Sequence, residues 1–340
     1  TTATLAGKYF NPVLYTGTGS SQSITGVGFQ PDLVWAKIRS GAKDNNLTDA
    51  VRGTSKALFS NTTSAEVSGS WVTAFNSDGF TVGTEADANQ SGQTFVAWNW
   101  KANGSGSTNT AGSITSTVSA NTTSGFSVVT YTGNSFAGQT VGHGLGAVPA
   151  MIIVKVRNNT DAWTVWHRSI SISEYLTLNS TAAAANAGTA LFNSTLPTST
   201  VFTLGFANAT NRDAGTIVAY CFAPIAGYSA FGSFTGNGSA DGAFVYTGFR
   251  PAFVMLKASS TGGVGYNWGM FDNDRLGYNS AQRDLRANLS DAEGTDNNLI
   301  DFLSNGFKIR STSNGFGGGS GITYIYMAFA ENPFKTSLAR

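Results

Sequence analysis

The sequence predicts an all-β protein of three tandem antiparallel β-sandwich domains, jelly-roll-like and about 100 residues each. Three observations predict it. One short phrase is written three times. The apolar runs are β-branched and bounded by turn residues. The composition is poor in charge and rich in glycine.

The phrase is "GFQPDLVWAK" (Gly28 to Lys37), then "GAVPAMIIVK" (Gly146 to Lys155), then "GFRPAFVMLK" (Gly248 to Lys257). Each places a lysine six positions after a proline. A turn precedes each copy: "LYTGTG", "TYTGNS", "SFTGNG". An apolar triplet follows: "GFTVG", "VFTLG", "GFKIR". Each copy closes on an apolar strand, "FVAWNW", "IVAYCF" or "YIYMAFA". Pro31, Pro149 and Pro251 are spaced by 118 and 102 residues, and Phe80, Phe202 and Phe307 by 122 and 105. Two markers with matching pitch make a repeat. The pitch is far above the ~20–50 residues of a solenoid repeat, so each unit is long enough for its own core.

The elements follow in order. The proline cannot donate to a sheet ladder, so it belongs at a strand's start. The run after it is a core strand. The lysine is expected to reach water at the far end. "AWTVWHRS" alternates like a half-buried strand, and "GTIVAYCFA" reads as a strand buried on both faces. Residues 1–101 form the first domain, 102–112 an uncharged flexible linker, 113–226 the second domain and 227–340 the third. Ser113 to Ala120 is expected as an edge strand. Helix is confined to Ser180 to Gly188 and Ser280 to Ala292.

Charged residues are 11% of the chain, glycines number 41, aromatics are 12% and the net charge is +1. No basic run offers a footprint for nucleic acid. No apolar run approaches the ~20 residues of a membrane-spanning helix, so no membrane insertion is expected. Cys221 stands alone, so no intrachain disulfide forms.

Several long segments carry a resemblance: "YFNPVLYTGTGSSQSITGVGFQPDLVW", "VRGTSKALFSNTTSAE", "FNSDGFTVG", "FVAWNWKANG" and "LSNGFKIRSTSN" continued by "TYIYMAFAENPF". They resemble a domain repeated in structural proteins of tailed bacteriophages, marine ones especially. The resemblance implies a tail fibre or other virion surface appendage, and a homo-oligomer, expected to be a trimer. It implies contact with other virion proteins and with a host-surface glycan or receptor. It brings no catalytic residues.

The residues themselves offer little catalytic chemistry. His143 and His167 are the only histidines and read as structural. No G-x-S-x-G elbow or P-loop occurs. "GHGLGA" has the loose dinucleotide spacing but runs into a strand, not a helix. "DANQSG" and "DNDRLG" begin like calcium loops, yet Trp98 and Arg283 stand where the loop needs glutamate. Asp291, Glu293 and Asp296 cluster in one repeat only and read as a solvated loop. Trp98 and Trp100 read as core. Trp268, in "GGVGYNWG", is the expected exposed anchor, with Tyr266 beside it. No enzyme, cofactor or metal is expected. The alternatives are a carbohydrate-active tailspike enzyme and a cellular adhesin.

Overall fold

The computed structural model describes residues 9–275, 279, 283–295 and 299–333. Each repeat is a sandwich of antiparallel sheets, one inner and one outer. In repeat 1 the inner order is Phe10–Thr16, Thr94–Trp100, Leu33–Ile38, Asn46–Asp49, Lys56–Phe59, Val67–Ser68. Repeat 2 adds Ser107–Asn109 and Ser116–Asn121 outside its opening strand and then runs Phe126–Thr132, Thr216–Phe222, Met151–Val156, Thr164–His167, Glu174–Thr177, Ala185–Asn186. Repeat 3 runs Ser229–Thr235, Thr323–Ala330, Pro251–Ala258, Gly269–Asp272, Leu285–Arg286. The order is the same three times: opening strand, closing strand, Pro–Lys strand, then the two that follow it. Leu33 faces Trp100, Met151 faces Phe222 and Phe253 faces Phe329, so the register repeats as well.

The outer sheets are smaller. They are Gln22–Thr25, Gly79–Val82 and Val72–Asn76; then Gln139–Gly142 and Val201–Leu204; then Phe244–Tyr246, Gly306–Ile309 and Ile300–Leu303. Between inner and outer sheet each repeat has its own apolar cluster, around Phe80, Phe202 and Phe307 respectively.

The largest cluster belongs to no single repeat. It takes Trp35, Trp98 and Trp100 from the first, Ile153, Tyr220 and Phe222 from the second, and Met255, Met327 and Phe329 from the third. This is why the closing strands are buried at every position after their first residue: one face meets the outer sheet and the other meets two sister repeats. Trp100, Phe222 and Phe329 occupy equivalent positions and meet as a triangle. Their ring centroids lie 6.3, 5.7 and 6.1 Å apart. The repeats thus close a ring about one core.

Four expectations are corrected. Residues 102–112 are no flexible linker. Ser107–Asn109 is a strand paired with Ser116–Asn121, and the Ala102 and Gly104 amides donate to Asp32 at 2.7 and 3.0 Å. Serine and threonine suit a solvated strand as well as a linker, and composition does not separate the two. The strand within 113–120 is not an edge, because it pairs on both sides. Residues 180–188 hold the short strand Ala185–Asn186 and no helix. Residues 280–282 lie outside the described residues, and Leu285–Arg286 beyond them is a strand. The helical turns fall instead at Ala86–Asn89 and Asn208–Asn211, equivalent places in two repeats.

Candidate functional site

The chemistry-bearing side chains gather at the three seams between repeats. Each seam repeats one set of contacts. The Glu293 amide donates to the Arg39 carbonyl at 2.8 Å, Glu66 to Arg157 at 2.7 Å and Ala184 to Ser259 at 2.9 Å. In the first two seams an ion pair is added, Arg39 with Glu293 at 3.0 Å and Arg157 with Glu66 at 2.9 Å. A second strut comes from the residue before the fourth inner strand. The Trp163 indole donates to the Phe59 carbonyl at 2.8 Å and the Trp268 indole to Thr177 at 3.0 Å. Asn45 takes that place in repeat 1 and donates to Arg286 at 3.3 Å.

Trp268 is therefore corrected: it is 1% exposed and braces repeat 3 against repeat 2. The glycine-rich stretch around it suggests a surface loop. The strand that begins at Gly269 turns the indole inward. Tyr266 is half-buried, and its hydroxyl accepts from Asn314 at 3.2 Å.

The third strut joins the end of the fourth inner strand to the next repeat's closing strand. Asp49 accepts from the Tyr220 hydroxyl at 2.8 Å, and Asp272 from the Trp98 indole at 2.9 Å. Each aspartate also holds the arginine three residues on. Arg52 and Arg275 are buried, and each donates back to a carbonyl, Leu47 or Met270. A buried charge is tolerated when paired and hydrogen-bonded. The Asp272 in the calcium-like run is thus an arginine partner.

In repeat 2 the same position is His167, and the residue three on is Ile170, which packs on the core. Repeat 3 offers Met327 where the others offer a tyrosine or tryptophan donor, so an acceptor here has nothing to accept. His167 Nε2 instead faces the Tyr326 carbonyl at 3.2 Å, while Nδ1 accepts from Ser169 at 3.1 Å. These partners fix the tautomer with the proton on Nε2. Burial pushes the ring's pKa down to about 4. Aspartate and arginine have been exchanged together for a neutral imidazole and an aliphatic. His143 is likewise buried, with Nε2 3.2 Å from the Thr198 carbonyl.

The three lysines are corrected as well. Lys37, Lys155 and Lys257 are each 0% exposed. They share a face with Trp35, Ile153 and Met255 and so point into the seams. Lys37 Nζ donates to Ser290 at 2.7 Å and to Lys43; Lys155 donates to Val156 at 2.7 Å; Lys257 donates to Ala258 at 2.8 Å and Thr181 at 3.3 Å. Burial pushes each ammonium down to about 8.

Glu293, expected on a solvated loop, holds Arg39, Arg275 and Arg283. Asp291 is exposed near Arg286, and Asp296 lies outside the described residues. Beside the aromatic triangle lies an apolar void of about 10 Å³, lined by Leu33, Trp35, Ile153, Tyr220 and Met327 among others. That is room for one water-sized sphere and no ligand. Among the described residues no group of three histidine, cysteine, aspartate or glutamate side chains is placed to hold a metal. No helix there is long and apolar enough to cross a membrane.

A family profile described as Domain of unknown function (DUF7483) matches residues 5–333. The chain belongs to this family. The match spans all three repeats as one unit. No curated protein matches the chain.

All seven tryptophans are buried. Among the described residues the exposed aromatic rings are others, Phe136, Phe206, Phe244 and Tyr246, none of which stands in a motif. The signal for them is a difference between repeats. Tyr246 sits opposite Gly306 where repeat 1 sets Thr25 opposite Gly79, and Phe244 takes the place of Ser23.

Proposed function

We propose that this chain is a non-catalytic virion surface module of a tailed bacteriophage, part of a tail fibre or a capsid or tail appendage. It serves attachment to a host-surface glycan or receptor, or contacts between virion subunits. The resemblance of its repeats to phage structural domains supports the location. The observation that carries the non-catalytic reading is the state of the reactive side chains. His167, Asp49, Asp272, Glu293 and the three lysines are all committed to hydrogen bonds or ion pairs, within a repeat or across a seam. A general acid or base needs access to substrate, and these groups have carbonyls or ion-pair partners instead.

The homotrimer rests on the resemblance alone. Low charge and abundant aromatics argue for apolar surface to cover, but the shared core already covers five of the seven tryptophans, and the clusters of repeats 1 and 2 cover Trp71 and Trp166. Antibody labelling of purified particles, with sedimentation of the isolated protein, tests the proposal. Label on the particle surface and no sugar released from host polysaccharide are expected. Sugar release abolished by changing one aspartate or glutamate overturns it.

A further inference from the structure

The outer sheet of repeat 3 carries a built surface that its sisters lack. Phe244 and Tyr246 are 48% and 66% exposed, while Val245 between them is buried. Residues two apart in a strand share a face and stand about 7 Å apart. The Phe244 ring lies down across the sheet, and the Tyr246 ring leans over the bend that follows its strand. A Cβ at Gly306 would stand 3.1 Å from the Phe244 ring carbons, so that ring reaches over Gly306. A Cβ at Gly248 would stand 3.7 Å from the Tyr246 hydroxyl. Each ring thus has a glycine beneath it.

Polar groups border the rings on one side. Lys308 pairs across the strands with Phe244 and binds Asp241. Arg310 lies 3.6 Å from Asp241 and 3.4 Å from Asp301. The Asp241 side chain is 79% exposed and Arg310's 40%. The border therefore has two cations and two carboxylates and no net charge. In repeat 1 the positions of Phe244, Tyr246 and Lys308 hold Ser23, Thr25 and Thr81. In repeat 2 they hold Thr140, Gly142 and Thr203.

We propose that this face is a glycan-binding platform for an uncharged polysaccharide. Phe244 and Tyr246 stack on the C–H faces of adjacent sugar rings, and Asp241, Arg310 and the Tyr246 hydroxyl bond the sugar hydroxyls. The charge balance selects against a polyanion. Two rings fall far short of the ~800 Å² per partner of a stable protein interface, which leaves a small ligand with one apolar face and a polar edge. The inference deepens the attachment reading and rests on it for the place where the glycan is met.

The test replaces both rings by their repeat 1 counterparts, Phe244→Ser with Tyr246→Thr, a pair the fold already tolerates. Native gels containing dextran, galactan, mannan or anionic alginate are the probe. Retardation of the unchanged protein by at least one neutral polysaccharide is expected, with binding at least tenfold weaker in the double variant. Equal retardation of both proteins overturns the platform. So does retardation by alginate alone, or by none of the four. Particles carrying the variant separate the two readings. Lost gel binding with normal adsorption leaves the platform standing and removes the attachment role. Unchanged gel binding with lost adsorption does the reverse.

Discussion

The faces that meet at the centre and the faces that meet water have diverged by different rules. On the inner faces the three repeats keep geometry while changing chemistry in concert. Asp49 with Arg52, Asp272 with Arg275, and His167 with Ile170 fill one place, and each combination leaves no buried charge unpaired. On the outer faces no buried charge has to be matched. Ser23, Thr140 and Phe244 share one strand position, and the hydroxyls of Ser23 and Thr140 make only exposed hydrogen bonds, with Thr81 at 3.3 Å and Ser113 at 2.9 Å. A core shared by three repeats couples its residues, whereas a solvated face leaves them free to specialise.

Breaking the centre should have the largest effect. Trp100→Ala removes one corner of the aromatic triangle and leaves a cavity bounded by all three repeats. It should lower stability by ~3–5 kcal/mol in urea denaturation. If the repeats were independent, only one of several transitions would shift. One cooperative transition that moves as a whole is expected.

Trp268→Phe tests a seam and should cost ~1–3 kcal/mol, because the ring is largely kept and the Thr177 carbonyl loses its donor. A loss below the error of the denaturation curve would show that the strut carries no weight.

The lysines sharpen the comparison through pH. Their folded pKa of about 8 lies below the ordinary 10.5. Between those values the unfolded chain binds protons that the folded chain does not, so stability rises with pH. The slope approaches ~1.4 kcal/mol per pH unit for each lysine. Above about pH 10 the trend reverses, since buried Tyr131, Tyr220 and Tyr228 resist the ionisation open to an unfolded tyrosine. Lys257→Met should flatten the rise between pH 8 and 9 by about a third, as one of three lysines, before buried Cys221 begins to oppose it. An unchanged slope would place the titration elsewhere.

The outer face should respond least. Phe244→Ser with Tyr246→Thr should leave stability within about ±0.5 kcal/mol, the range of surface changes. A large loss would mean that these rings pack rather than bind.

Much of the fold was legible in the chain. The three Pro–Lys phrases and the apolar closing strands mark the repeats because identical local jobs need similar local sequences. The Trp98 and Trp100 pair reads as core for the same reason. The candidate site was less legible. Trp268 sits among glycines and reads as exposed, yet it is a brace. Phe244 and Tyr246 read as ordinary strand residues, yet they are exposed.

The sequence alone determined the strands, their repetition and the absence of a recurring catalytic motif. Those follow from side-chain period, turn chemistry and residue counts, which are local. Only the tertiary structure decided which face of each strand is covered. A period of two divides a strand's residues into two faces but does not say what lies against either. The lysines show this most directly. Lys37 alternates with Trp35 on one face, and a solvated end and a buried seam would produce the same spacing. The sister repeats close that seam over it, and the carbonyls of Ser290 and Lys43 take the place of water.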